Sequence, residues 1–294
     1  MERFNNEKLK KIQILNGAQL KYIAFISMLI DHINKGIILP YLEVGSILSK
    51  ISTVFDVLGR IAFPLFSFFI VEGFFKTHSR KKYLLNLLFF AVISEVPYDM
   101  FSSKVFLEFR LNNVLFSLAL SLIFIWILDE FRNKFEEKIG KCWLFISIPL
   151  LILMYFASTF VSGDYDFHAI LTAFFFYIFY NRPIASAVFA YLSIIKEVWS
   201  ILGFGLTIMY NGEKGKQNKL FNYLFYPVHL LVLGLLRMYL DIWFLTKDAY
   251  ASFYCDFSQL STQRVRNIKL PAMRVGNNRL YQKSPQYYNR VVQT

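Results

Sequence analysis

Leu20–Leu39 reads LKYIAFISMLIDHINKGIIL. The stretch is apolar and of helical length, and about 20 such residues cover the hydrocarbon core of a bilayer. Asp31 and His32 nevertheless sit inside it. Ionisable side chains are costly at membrane depth, so those that a span carries are candidate functional groups.

Similar stretches recur on the C-terminal side: Thr53–Phe75, Tyr83–Phe101, Asn112–Leu128, Cys142–Phe160, Phe167–Tyr180, Ile184–Tyr210 and Leu220–Leu240. Of 294 residues, 56% are hydrophobic and only 18% are charged, where a soluble domain carries about 25%. Several runs of about 18 residues have no polar stripe, which excludes a water-soluble helical protein. The expected fold is all-α, a polytopic transmembrane helical bundle.

The formal net charge of +12 would point to nucleic acid in a soluble chain. Here Lys and Arg lie in short stretches between the apolar runs, while the aromatics lie inside those runs. Topology signals and anionic lipid headgroups account for such a pattern, and no nucleic-acid partner is expected. With the N-terminus inside, Lys76–Lys82, Asp129–Lys141, Arg182 and Lys214–Lys219 all fall on the cytoplasmic side if Ile184–Tyr210 passes twice. That gives about nine membrane segments, and eight if it passes once. The expected location is a bacterial cytoplasmic (inner) membrane, multi-pass, with a cytoplasmic N-terminus and no removal of the first span. Three regions follow: a basic interfacial N-terminus (1–19), the transmembrane domain (20–240) and a polar tail (241–294). The tail has no helical periodicity from Lys247 onward and is expected to be poorly ordered.

The polar residues inside the spans are the site candidates. His32 suits a general base, and a carboxylate such as Asp31 can orient an imidazole. Adjacent helical residues point about 100° apart, which directs Asp31 elsewhere, with Arg60 as its natural partner. The alternative for both residues is a polar clasp between helices that anchors the bundle. Arg60 could stabilise oxyanion or phosphate charge or sit in a buried ion pair. Glu72 lies roughly 18 Å further along the same helix and cannot meet it. Glu95 precedes Pro97, a kink that could open a polar cavity. Asn113 follows Arg110 and suits a helix cap, and His229 follows Pro227 in the last span. Asp164, Asp166 and His168 cluster in one turn without a metal-ligand pattern, and Cys142 and Cys255 have no metal or redox spacing, so no metal is expected. His78 lies in a basic loop and is expected to face solvent or headgroups.

These pieces form a pattern. NGAQLKYIAFISMLIDHI (Asn16–Ile33), GRIAFPLFSFFIVEGFFKT (Gly59–Thr77), YLLNLLFFAVISEVPYDM (Tyr83–Met100), NVLFSLAL (Asn113–Leu120), Asp164-Tyr165 and YLFYPVHLL (Tyr223–Leu231) resemble, in order, the TraX family of integral membrane proteins. That family is named for a conjugation protein linked to N-terminal acetylation of pilin. It is distantly similar to membrane acyltransferases that use cytosolic acetyl-CoA, in which a histidine of the first core helix is catalytic. The resemblance puts that role on His32. It also matches Arg60 and Glu72 to the GRIAFP…VEG motif, Glu95 to SEVPYD, Asn113 to NV and His229 to YPVHL. Where relatives often carry glycine after the DY pair, this chain has Asp166, followed by Phe167 and His168, a departure that weakens any shared role for His168. The part of the chain after Leu240 does not resemble the family.

The expected function is an acetyl- or acyltransferase that takes acetyl-CoA as co-substrate and an amine or hydroxyl acceptor. His32, Asp31, Arg60, Glu72, Glu95 and His229 are its catalytic candidates. Lys76, Arg80 and Lys81, with Asn113, are its cofactor-binding candidates, and membrane lipids are its surroundings. Two other classes stay open. A proton-coupled transporter uses the same buried residue types but often carries internal repeats, and none is evident. A non-enzymatic assembly factor would have buried ion pairs and no cavity.

Overall fold

The computed structural model describes residues 7–41, 45–108, 111–161 and 166–263. Asp164, Tyr165 and the polar tail from residue 264 lie outside the described residues. Among those described, the secondary structure is helical apart from one isolated bridge, Leu15 with Tyr210. The helices are α1 (Glu7–Lys10), α2 (Gly17–Ile33), α3 (Ile47–Gly59), α4 (Ala62–Lys76), α5 (Arg80–Ser102), α6 (Val114–Ile139), α7 (Ser147–Val161), α8 (Asp166–Ile178), α9 (Pro183–Leu192), α10 (Ile201–Ile208) and α11 (Lys219–Gln263). Among the described residues, five stretches are long and apolar enough to cross a membrane: Ile47–Lys76, Arg80–Ser102, Val114–Ile139, Cys142–Val161 and Lys219–Asp241. The protein is an all-α, polytopic membrane-helix bundle. Two compact units divide the chain, Met1–Met238 and Tyr239–Thr294. The bundle is the first; of the second, the helical backbone continues to Gln263.

One end of the bundle is basic, and local chemistry ties it together. Asn16 caps α2 in a reciprocal capping box with Gln19, which satisfies two otherwise orphaned N–H groups. The segment entering α2 pairs with the loop after α10: Leu15 N–H donates to Met209 O, Asn211 N–H to Leu15 O, and Gly17 N–H to Glu213 O. Lys76, at the end of α4, donates to Tyr210 Oη at 2.9 Å and to Gly212 O at 2.6 Å. Arg80, at the start of α5, pairs with Asp129 of α6 at 2.8 Å.

The long helical stretch Ile47–Lys76 is interrupted at Arg60-Ile61. Pro64 explains the interruption. Proline has no N–H and its ring crowds the carbonyl four residues back, here that of Arg60. Pro97 lies inside α5, which continues through it without a break.

Ile184–Tyr210 forms two helices, α9 and α10, with turns over 193–197 and a short 3₁₀ turn, Val198–Ser200, between them. Each helix is roughly 12–15 Å long, about half the hydrocarbon thickness. The stretch therefore folds as a helical hairpin of half-length arms. At its tip Glu197 meets the interruption in the α3–α4 stretch: Arg60 Nη1 lies 2.9 Å from Glu197 Oε2.

Candidate functional site

α2 carries His32 roughly 22 Å from its basic end at Gly17. The helix does not stop there but widens into a π-helical segment, Asn34–Ile38, a distortion often found at functional sites. Gly36 lies on this segment where any Cβ would run into the Phe101 ring. Its absence lets that ring reach His32, with centroids 5.0 Å apart.

The partner of His32 comes from the far end of the chain. His32 Nδ1 lies 2.8 Å from His229 Nε2, and the two rings are within 6° of parallel. His229 Nδ1 lies 2.6 Å from the carbonyl oxygen of Phe225 one turn earlier. This chain of bonds assigns the hydrogens. A carbonyl only accepts, so His229 carries its hydrogen on Nδ1. Its Nε2 then holds the lone pair and accepts from the Nδ1–H of His32. The remaining nitrogen, His32 Nε2, is left as a lone-pair base. His229 is buried and His32 is half-buried.

The other candidates do not join this pair. Asp31 turns away, as helix geometry requires, but its partner is Lys35 on its own helix at 2.8 Å, and not Arg60. Its other oxygen faces Gly59, where a Cβ would lie 2.5 Å away. Glycine there is what allows α3 to pass so close to α2. Ser27 Oγ fastens the same crossing by donating to the Leu58 and Gly59 carbonyls. Arg60 is held by Asp56 at 3.1 Å and by Glu197. Glu95 accepts from the backbone and side-chain N–H groups of Asn113, which also caps α6 through Leu115 N–H. Glu72 belongs to the basic end, with Lys76 at 2.7 Å and Tyr180 Oη at 2.9 Å. His168 opens α8, and His78 is exposed as expected.

Below the histidine pair lies a cavity of about 490 Å³, within the 300–1,000 Å³ range of ligand sites. Its mouth at the basic end holds Lys21, Lys76, Lys214 and Lys219. Its walls are apolar, including Phe66, Phe69 and Leu118. Met28, Leu115 and Tyr226 line it on the side nearer the histidine pair. Met28 is one helical turn before His32, and Tyr226 one turn before His229, so the space ends just short of the pair. Of the expected cofactor-binding residues, Lys76 lines the mouth. Arg80 is turned to Asp129 and Glu130, Lys81 is exposed outside the cavity, and Asn113 lies next to Val114 of the lining.

Sequence reasoning read Lys214 and Lys219 only as topology signals, and it passed over Asp99 and Arg237. Both were visible as charged residues within apolar runs. Asp99 is fully buried and accepts from Glu108 N–H, while Arg237 donates to the Phe101 and Ser102 carbonyls at the end of α5. Among the described residues no group of three or more His, Cys, Asp or Glu side chains is placed to hold a metal ion.

Comparison with known proteins agrees with the motif pattern. The family model described as "TraX protein" matches residues 16–237, and the chain belongs to that family. A curated relative, "Probable fimbrial assembly protein FimC, serogroup H1" of Dichelobacter nodosus, is 29% identical, with 76% of this chain and 96% of the relative covered. No solved structure matches the chain.

Proposed function

Starting from membership of the TraX family, we propose that this protein is a membrane acyltransferase. In this reading it moves an acyl group, most simply acetyl, from cytosolic acyl-CoA to an amine or hydroxyl acceptor. The observation that carries the reading is the hydrogen-bond chain from Phe225 O through His229 to His32, which leaves His32 Nε2 free to take a proton. The cavity supports it. Its lysine mouth suits the phosphates of coenzyme A, which are attracted by concentrated positive charge. Its apolar body suits a pantetheine arm and short acyl group. A non-enzymatic assembly factor would need no such space.

His32 Nε2 removes the proton from the acceptor nitrogen or oxygen as that atom attacks the thioester carbonyl. The C–S bond breaks, and the sulfur leaves with the proton that His32 returns. Throughout, His229 Nε2 holds the Nδ1–H of His32 and spreads the positive charge that the ring gains. Arg60, anchored by Asp56 and Glu197, and Asp31, anchored by Lys35, act as framework residues that fix the α2–α3 crossing. The basic end is the cytoplasmic one in this reading, which follows the distribution of Lys and Arg. The curated relative is named for fimbrial assembly, and a protein subunit of a surface appendage is the acceptor class this reading would test first.

The test is transfer of label from radiolabelled acetyl-CoA, with purified protein and membrane extract supplying acceptors. Label should move to an acceptor with wild type and fail to move with His32→Ala. Equal transfer by both proteins would refute His32 as the base.

A further inference from the structure

The cavity and the histidine pair are separate spaces, and what separates them is specific. On α2, Met28 stands four residues before His32. On α11, Tyr226 stands three residues before His229. Both side chains are buried, and they belong to one apolar cluster with Phe25, Ala62 and Phe101. Tyr226 also packs edge-on against His229, with centroids 5.7 Å apart. Its ring is thus held by the site itself. Met28 is different in kind. Methionine is unbranched, has three rotatable bonds and adapts to irregular space. Of the two, it is the side chain that can move aside without disturbing the histidines.

We infer that Met28 is the movable floor of the cavity and sets which acyl chains reach His32. The inference deepens the transferase reading and rests on it for the identity of the ligand. With the Met28 side chain down, the cavity ends before the base. With it turned aside, a short acyl group takes the place of the Met28 side chain and reaches toward His32. The length that fits is limited by the Phe101 ring packed on His32.

The step is physical rather than chemical, so equilibrium binding measures it without turnover. Affinities of coenzyme A, acetyl-CoA and butyryl-CoA are compared for the purified full chain in detergent, by calorimetry. Met28→Ala removes the γ-carbon, the sulfur and the terminal methyl, which leaves room for the two extra methylenes of butyryl. Burying them should raise the butyryl-to-acetyl preference by about tenfold over wild type. Met28→Phe should reverse the order and favour unacylated coenzyme A. Met28→Val, a smaller change, guards against misfolding and should shift the preference in the same direction as alanine.

An unchanged chain-length order in Met28→Ala and Met28→Val, with coenzyme A still bound, would overturn the inference. So would absence of coenzyme A binding to wild type. A shift in chain-length preference without His32-dependent transfer would support the floor and refute the transferase reading alone.

Discussion

Replacing His229 by alanine tests the division of labour within the pair. The ring lies outside the cavity lining, so its loss should leave acyl-CoA binding intact. What it removes is the acceptor 2.8 Å from His32 Nδ1. In the ground state that bond is between neutral rings and contributes about 0.5–1.5 kcal/mol net. When His32 takes a proton the donor becomes charged, and such bonds contribute about 1.5–3 kcal/mol. Only the difference, about 1–1.5 kcal/mol, is lost from the chemical step, which should lower kcat by roughly 5- to 13-fold at 1.36 kcal/mol per decade, with KM for acyl-CoA little changed. His229→Gln can present an amide oxygen to the same Nδ1–H and should recover part of the loss. The assay is steady-state transfer of labelled acetyl groups at saturating acceptor. A wild-type kcat in His229→Ala, or a rise in KM with kcat preserved, would refute the assignment of His229 as the group that orients and charges His32.

Gly59→Ala should destabilise the bundle by about 1–3 kcal/mol, the usual cost of overpacking, because the new methyl meets Asp31; the shift in Tm in detergent measures it. Arg60→Ala should be more destabilising than the Arg60→Ala/Glu197→Ala double variant, since it leaves the half-buried Glu197 carboxylate without the Arg60 guanidinium; chemical denaturation of the two proteins and the Glu197→Ala single variant gives the coupling. Lys214→Ala/Lys219→Ala should raise KM for acyl-CoA several-fold with little change in kcat, at about 0.2–1 kcal/mol for each exposed charge. The wild-type dependence on ionic strength should flatten in that variant.

The fold class was legible because hydrocarbon thickness and hydrogen-bond satisfaction leave few ways to write a membrane bundle. The reading of Ile184–Tyr210 as two short passes rested on charge placement, and the stretch holds two helices, α9 and α10. Local spacing also held the true partner of Asp31: Lys35 is four residues away, the ordinary distance for a helical ion pair. Arg60 drew attention because it is the more conspicuous charge. The interruption at Arg60-Ile61 was equally readable from Pro64, whereas Pro97 proved to be accommodated within α5. What the sequence did not contain was the meeting of His32 with His229. That contact depends on how the first and last core helices pack, and no local rule links residues so far apart. The cavity was hidden for the same reason, since its mouth draws lysines from α2, α4, the loop after α10 and the start of α11.

The Arg60–Glu197 contact also bears on how the chain is made. Synthesis runs from the N-terminus, and early segments enter the bilayer before later ones exist. Arg60 is therefore committed to the membrane long before the α9–α10 hairpin leaves the ribosome. Asp56, one turn back on the same helix and 3.1 Å from the guanidinium, serves as its escort in that interval. When the hairpin arrives, Glu197 finds a cation already held in place. A nascent chain lacking Asp56 would carry Arg60 through that wait without its neighbouring carboxylate. Loss of Asp56 should then reduce the yield of inserted protein more than the stability of protein that has matured.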